Sequence, residues 1–353
     1  MKLVFITRKV DKGDPLTGFV FTWMEKLASK LEKLYVICQE KGDASGLPQN
    51  VELHSFGKEK GYGKIRQGFA LFALSFSLAK KCDGFFVHMH PIYAIITWLP
   101  AKLRGQKIAL WYTHKSVDTK LKIAHALIDT VFTASKESFR LPSKKVRVVG
   151  HGIDLNKFKV KSEKFQVGDK FRIVSVGRIS PVKDYETLIK AVEILVNHKN
   201  LKDIEVEIYG RVGLPEHQAY LNSLVEFVRN AELEDYIKFQ GELNYDYVDE
   251  VYQEADLFVN LSATGSIDKA VLEAAASAVL VTTSNEAFQK PLSQISPLFV
   301  FQKDNPVQLA EKIREIKVLP AGKKNELGRS LRSWVEREHN LDNLIGLIVE
   351  EFR

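Results

Sequence analysis

The chain has 353 residues, 45% of them hydrophobic and 27% charged, which describes an ordinary globular protein long enough to favour two domains over one core. Its net charge of +7 is unevenly spread: through Phe165 there are 29 Lys and Arg against 14 Asp and Glu, a balance of +15, and the remainder carries −8. Two cysteines, Cys38 and Cys82, exclude a disulfide framework and fit a reducing cytoplasm.

In chain order, "KLVFIT" (2–7) reads as a first strand; its apolar run is too short for a leader. Val20, Trp23, Met24, Leu27 and Leu31 then recur at helical spacing. "LYVIC" (34–38), "VELHSF" (51–56), "GFFVHM" (84–89), "KIALWY" (107–112), "TVFTA" (130–134) and "VRVVG" (146–150) are further strands, with helical patterns between several of them. Gly84–Ala101 lacks Asp, Glu, Lys and Arg, but His88, His90, Pro91 and Pro100 make it strand, turn and buried helix, not a membrane span. The segment "GKEKGYGKIRQGFALFALSFSLAKK" (57–81) has two readings: a core-packed helix with solvated lysine ends, or a basic-flanked helix whose aromatics dip into an anionic membrane.

The polar, lysine-rich stretch 156–170 breaks the pattern and reads as a linker. Alternation resumes with strands at 171–177 and 206–210 and helices near 184–197 and 216–231. Strands at 236–241, 257–262 and 279–283, a helix from about Asp268, and a mostly helical end over 305–353 follow. Alternating strands and helices imply an α/β fold: two Rossmann-like, doubly wound parallel-sheet domains facing a central cleft. The expected division is 1–160, 171–335, and a C-terminal helix, 336–353, crossing back onto the first domain. A ligand is expected at the strand C-termini, between the domains.

Two stretches carry candidate chemistry. In "VGRISPVKDYETLIKA" (176–191) a strand ends at Gly177, and Arg178 and Lys183 stand at its mouth beside a helix start. Two such cations suit a diphosphate, or are simply solvated surface charges. In "GSIDKAVLEAAA" (265–276) a bare turn, Gly265 and Ser266, leads into an alanine-rich helix. Backbone amides there form an anion site that needs no side chains. Glu273 is within reach of a ribose hydroxyl pair, or is a solvated helix glutamate. No grouping with metal-ligand spacing stands out, and no cofactor motif accompanies these stretches.

Through these two stretches the sequence resembles the family 4 glycosyltransferases, retaining enzymes of GT-B architecture, most clearly from Phe171 to Ser284. "VGR…K", then "F.G" at Phe239–Gly241, then the loop before "LEA" occur in the family's order and spacing. The resemblance implies that Arg178 and Lys183 grip a donor diphosphate and that Phe239 and Gly241 lie near the base. It places Glu273 on the ribose and the backbones of Ile267, Asp268 and Lys269 near the phosphates. In the first half, Gly18 corresponds to the family's second loop glycine, and His90 and His114 to histidines facing the sugar, His114 as the active-site residue. His151 of "HGIDLNKF" stands where asparagine is usual.

One departure is clear. The family's acid eight residues before the helix glutamate is Gly265 here, and Asp268 occupies a position usually held by glycine. Asp268 is therefore expected to replace the missing acid at the sugar, with Lys269 offsetting its repulsion of the diphosphate. The competing role is a helix cap, which asparagine would serve as well. The reading is an enzyme: a metal-independent, retaining glycosyltransferase using a nucleoside-diphosphate sugar. Its acceptor is phosphorylated or lipid-linked, met in the cytoplasm or at the inner face of the cell membrane through the basic half. Nucleic acid is excluded for want of zinc-finger or RNP-like motifs. The alternative is a catalytically impaired relative acting as a nucleotide-binding or membrane-surface scaffold.

Overall fold

The computed structural model describes residues 1–14, 17–160 and 170–353. These divide into two compact units, one of Met1–Asp154 with His339–Arg353 and one of Leu155–Glu338.

In the first unit, seven parallel strands are ordered β3-β2-β1-β4-β5-β6-β7. They are β1 (Lys2–Val10), β2 (Lys33–Lys41), β3 (Val51–Ser55), β4 (Gly84–His88), β5 (Lys107–Trp111), β6 (Thr130–Thr133) and β7 (Val146–Val148). The central strands are continuous apolar runs because helices cover both faces. Phe85, Phe86 and Val87 of β4, for example, are all fully buried. The helices are α1 (Phe19–Lys30), α2 (Lys64–Leu78), α3 (Pro91–Lys102) and α4 (Thr119–Leu127). One face of the sheet packs with α2, α3 and α4 through Leu71, Leu78, Tyr93, Ala94, Leu121 and Ala124. The helix seen in the α1 periodicity buries Val20, Trp23, Met24 and Leu27.

In the second unit, five parallel strands are ordered β10-β9-β8-β11-β12. They are β8 (Phe171–Val176), β9 (Ile204–Tyr209), β10 (Ile237–Gly241), β11 (Leu257–Asn260) and β12 (Leu280–Thr283). Its helices are α5 (Tyr185–Glu193), α6 (Gln218–Asn230), α7 (Val248–Glu254), α8 (Lys269–Ala276), α9 (Glu286–Ile295), α10 (Pro306–Lys317) and α11 (Ala321–Glu338). The helix expected over 184–197 is α5 followed by one wider π-helical turn, Ile194–His198. In both sheets the strand order reverses beside the first strand, at β1/β4 and at β8/β11. Such reversals open a crevice at the strand C-termini.

The last helix, α12 (Leu341–Glu351), belongs to the first unit. The divisions fall at 154/155 and 338/339 rather than at the expected 160 and 335, for a local reason. Ile153 bridges to Asn340: its N–H donates to the His339 carbonyl at 2.6 Å, and its carbonyl accepts from Leu341 N–H at 3.0 Å. The outgoing and returning chain are thus tied side by side within the first unit. Of the expected linker 156–170, residues 161–169 lie outside the described residues. Its first part is anchored rather than loose: Phe158 is fully buried and Lys157 pairs with Asp249 at 2.8 Å.

Candidate functional site

The clearest assembly of polar groups lies where the order of the second sheet reverses, after β8 and β11. Past Gly177 the chain leaves β8, passes the exposed Arg178 and makes a tight turn over Pro181–Lys183. Lys183 N–H donates to Ser180 at 2.9 Å, and Asp184, with φ 46°, redirects the chain into α5. The turn folds Lys183 back over Gly177, its Nζ 3.4 Å from where a Cβ on that glycine would stand. The loop after β11 joins it, because Ala263 N–H donates to the Val182 carbonyl at 3.0 Å.

That second loop is pinned from below. Asn285 donates to the Ser266 carbonyl at 2.9 Å, and Ser266 and Ile267 are both buried. Gly265 has φ 63°, a left-handed conformation that side chains resist, so the position favours glycine for the turn. The helix that follows is alanine-rich because it is buried: Val271 to Ala276 are all buried, against α11 on one side. Arg332 of α11 donates to the Ala276 carbonyl at 2.5 Å, satisfying the end of α8.

Asp268 precedes α8, and the Ala270 N–H at the helix start helps hold its carboxylate charged. The carboxylate is turned to Lys183, at 2.5 Å, and accepts from Asn260 Nδ2 at 3.1 Å, while Asn260 Oδ1 accepts from the Thr283 hydroxyl at 3.0 Å. Burial pushes the Asp268 carboxyl up, but the Lys183 charge and hydrogen bond, together with the hydrogen bonds from Asn260 and the Ala270 N–H, hold it below its ordinary value. The lysine paired with Asp268 is thus Lys183 and not its neighbour Lys269.

Lys269 serves Glu273 instead, at 3.1 Å one turn along α8. Glu273 is not a solvated glutamate: it is 5% exposed and accepts from the Tyr245 and Tyr252 hydroxyls, each at 3.4 Å. Lys269 also donates to the Tyr245 hydroxyl at 3.1 Å and lies over its ring. Burial, then the Glu273 charge, raises the Tyr252 hydroxyl well above its ordinary value, so it remains a donor. Of the cations at this crevice, Arg178 alone has no hydrogen-bond or ion-pair partner among the described residues.

The structure thus brings together Gly177, Lys183, Ser266, Ile267, Asp268, Lys269 and Glu273, with Arg178 at the mouth. Phe239 lies within edge strand β10, two strands from β8, while Gly241 at its end accepts from Gly210 N–H at 2.7 Å, and Gly210 lies directly against Gly177. Phe239 shares an edge groove of about 560 Å³ with Val225, Val228 and Arg229 of α6. Sequence reasoning missed Asn260, Tyr245 and Tyr252. Asn260 ends a buried apolar strand, "LFVN", and a polar residue there is a signal for such a role; the tyrosines carry no local signal.

In the first unit the loops after β4 and β5 meet, with Met89 N–H donating to the Trp111 carbonyl at 2.8 Å. They carry His90 and His114. His90 precedes α3, its ring 4.9 Å from Tyr93, and burial followed by the Arg8 charge pushes its imidazole down to about 4. It is therefore neutral near pH 7. His114 is exposed, and its Nδ1 accepts from Ser116 N–H at 3.1 Å, which leaves the ring proton on Nε2. Gly18 is buried immediately before α1. Among the described residues no three His, Cys, Asp or Glu side chains gather where they could hold a metal ion.

The family model described as glycosyl transferases group 1 matches residues 156–334, half of the chain. Mannosylfructose-phosphate synthase of Agrobacterium fabrum is 26% identical over 154 residues, covering 40% of this chain and 33% of that protein. The match therefore spans about a third of that relative's length. Among solved structures, Anabaena HepE in complex with UDP and glucose has a TM-score of 0.77 at 16% identity, covering 99% of both chains. Sucrose-phosphate synthase from Thermosynechococcus elongatus has a TM-score of 0.75 at 15% identity, covering 100% of this chain and 98% of the other. Likeness at this identity shows the fold, two Rossmann-like sheets of the GT-B kind.

Proposed function

Because the chain belongs to the glycosyl transferases group 1 family, we propose that it moves a sugar from a nucleoside diphosphate to an acceptor hydroxyl, as a retaining enzyme of family 4 that needs no metal. The observation that supports this reading is the crevice after β8 and β11, where Lys183 meets Asp268 at the start of α8 and Arg178 follows the end of β8. UDP is the first nucleotide to test, since HepE is solved with UDP and glucose.

In the proposed reaction the bond from the anomeric carbon to the diphosphate oxygen breaks, and a bond to the acceptor oxygen forms on the same face. The acceptor proton passes to the departing diphosphate. Arg178 and the first amides of α8 stabilise the charge that develops there. Lys183 joins them by exchanging the Asp268 carboxylate for phosphate, and Asp268, released, turns to the sugar in place of the acid absent at Gly265. Glu273 holds the ribose and Gly18 takes part in donor binding, while His90 and His114 serve the sugar and acceptor side. The +15 balance through Phe165 supports a phosphorylated or lipid-linked acceptor, met in the cytoplasm or at the inner face of the cell membrane.

A thermal-shift panel of nucleoside diphosphates and their sugars, followed by acceptor-free donor hydrolysis, tests this reading. A ligand at 100 times its dissociation constant adds about 2.7 kcal/mol of stability, enough to read as several degrees. Stabilisation by one nucleotide with slow hydrolysis of its sugar is the expected outcome. Stabilisation without any hydrolysis would make the chain a binding relative, and no shift with any nucleotide would end the proposal.

A further inference from the structure

The two readings of residues 57–81 resolve into a division of labour along α2. Leu71, Ser75 and Leu78 face inward, and the Ser75 hydroxyl meets Thr97 of α3 at 3.3 Å. Ile65, Phe69, Phe72 and Phe76, also at helical spacing, face solvent, with Ile65 79% and Phe69 72% exposed. On the adjoining α3, Ile92 and Leu99 are exposed, and Leu103 extends the same spacing just past its end. A contiguous apolar face of this kind is uncommon on a chain that meets only water.

The charge around it is one-sided. Between Lys60 and Val117 the chain has nine Lys and Arg and a single acid, Asp83, which accepts from the Lys2 backbone N–H at 2.7 Å. Lys60, Lys64, Lys81 and Arg104 are exposed and have no ion-pair partner among the described residues. Arg66 stacks on Tyr62, its guanidinium 3.6 Å from the ring centre, which fixes a cation at the rim of the aromatic stripe. Protein interfaces are depleted in lysine, whereas cations flanking exposed aromatics suit anionic headgroups above acyl chains. At 15 residues α2 is too short to cross a bilayer, and no helix among the described residues is long and apolar enough to do so.

We propose that α2, with the exposed edge of α3, docks flat on an anionic lipid surface, Ile65 and Phe69 entering the headgroup boundary and the Lys60–Arg66 cations binding lipid phosphates. This deepens the acceptor half of the function proposed above and rests on it only for its purpose, because docking needs no turnover. The test is flotation of the full chain with phosphatidylcholine vesicles and with mixed phosphatidylcholine–phosphatidylglycerol vesicles. Binding should require the anionic lipid and weaken as salt rises. Ile65→Ser with Phe69→Ser should weaken it roughly tenfold or more, and Lys60→Gln with Lys64→Gln about fivefold per charge. All four side chains are exposed, so melting temperature and nucleoside diphosphate affinity should stay unchanged, which keeps failure of docking distinct from failure of the donor site. Equal binding to neutral vesicles, undiminished binding by both variant pairs, or self-association through this face without vesicle binding would overturn the proposal.

Discussion

Replacing Asp268 by asparagine removes one charge at the centre of the crevice after β8 and β11 and tests how that crevice is held. The capping role alone leads to an unchanged melting temperature, because asparagine caps as well as aspartate. The structure leads elsewhere. The carboxylate is committed to Lys183 at 2.5 Å, with the two side chains 14% and 16% exposed. Exposed ion pairs contribute about 0–1 kcal/mol, and breaking a fully buried one costs about 3–5 kcal/mol. This pair lies between, so Asp268→Asn should cost about 1–3 kcal/mol, or roughly 3–10 °C in a unit of this size. The freed Lys183 no longer has to give up a carboxylate to meet a diphosphate. A charge-assisted hydrogen bond is worth about 1.5–3 kcal/mol, so UDP should bind about tenfold tighter or more. Melting scans without ligand and calorimetric titration with UDP read both effects, and transfer should fall if the carboxylate serves the sugar. If the variant melts like the parent and binds UDP no tighter, Lys183 is not held by Asp268 in solution and the exchange step proposed for it is wrong.

Arg178→Ala should weaken nucleotide binding by about 1.5–3 kcal/mol without lowering the melting temperature, because Arg178 is exposed and unpartnered; Lys183→Ala should do both, since it strands Asp268. Equal melting temperatures for the two variants would contradict this assignment. Gly210→Ala places a Cβ 1.8 Å from the Gly177 carbonyl oxygen, against 3.4 Å from the Arg178 side chain for Gly213→Ala. The first should cost about 1–3 kcal/mol or more and disturb nucleotide binding, and comparable melting of the two would refute that close approach. Acid should weaken the first unit, as both His90 and His339 are held near 4, below the ordinary 6.5, with burial the leading cause. Between those values the unfolded chain takes up protons that the folded chain refuses, so stability falls as pH drops, by up to roughly 1.4 kcal/mol per pH unit for each group. Urea midpoints that stay constant from neutrality to about pH 4.5 would show that these rings are not buried as described.

The alternation of strands and helices was legible because burial on both faces writes long apolar runs such as "FFV" and "LFVN", and a periodicity of 3.6 writes α1. Turn chemistry marked where Arg178, Lys183 and the bare Gly265–Ser266 turn stand in the chain. Partner choice was hidden. Whether Asp268 meets Lys183 or Lys269 depends on how two loops, 85 residues apart in sequence, fold over one another. The burial of Glu273 had no local signal, because Tyr245 and Tyr252 enclose it from another segment. In α2 the apolar residues exceed what one face can bury, and only packing decides that Leu71 and Leu78 turn inward while Phe69 stays out.

The tie between Ile153 and residues 339–341 has a consequence for biosynthesis. Leu341, Leu344, Ile345 and Ile348 of α12 are buried in the first unit, where α12 packs on α1. Glu351 accepts from Thr130 at 2.8 Å and pairs with Arg147 at 2.9 Å, fastening the sheet near its edge. On the ribosome residues 1–154 emerge first, yet their apolar surface under α12 stays uncovered while all of the second unit is made, for roughly ten to forty seconds at ordinary elongation rates. A nascent chain stalled before His339 would therefore present that surface to chaperones or to other chains. The unit made second is the one that can close first.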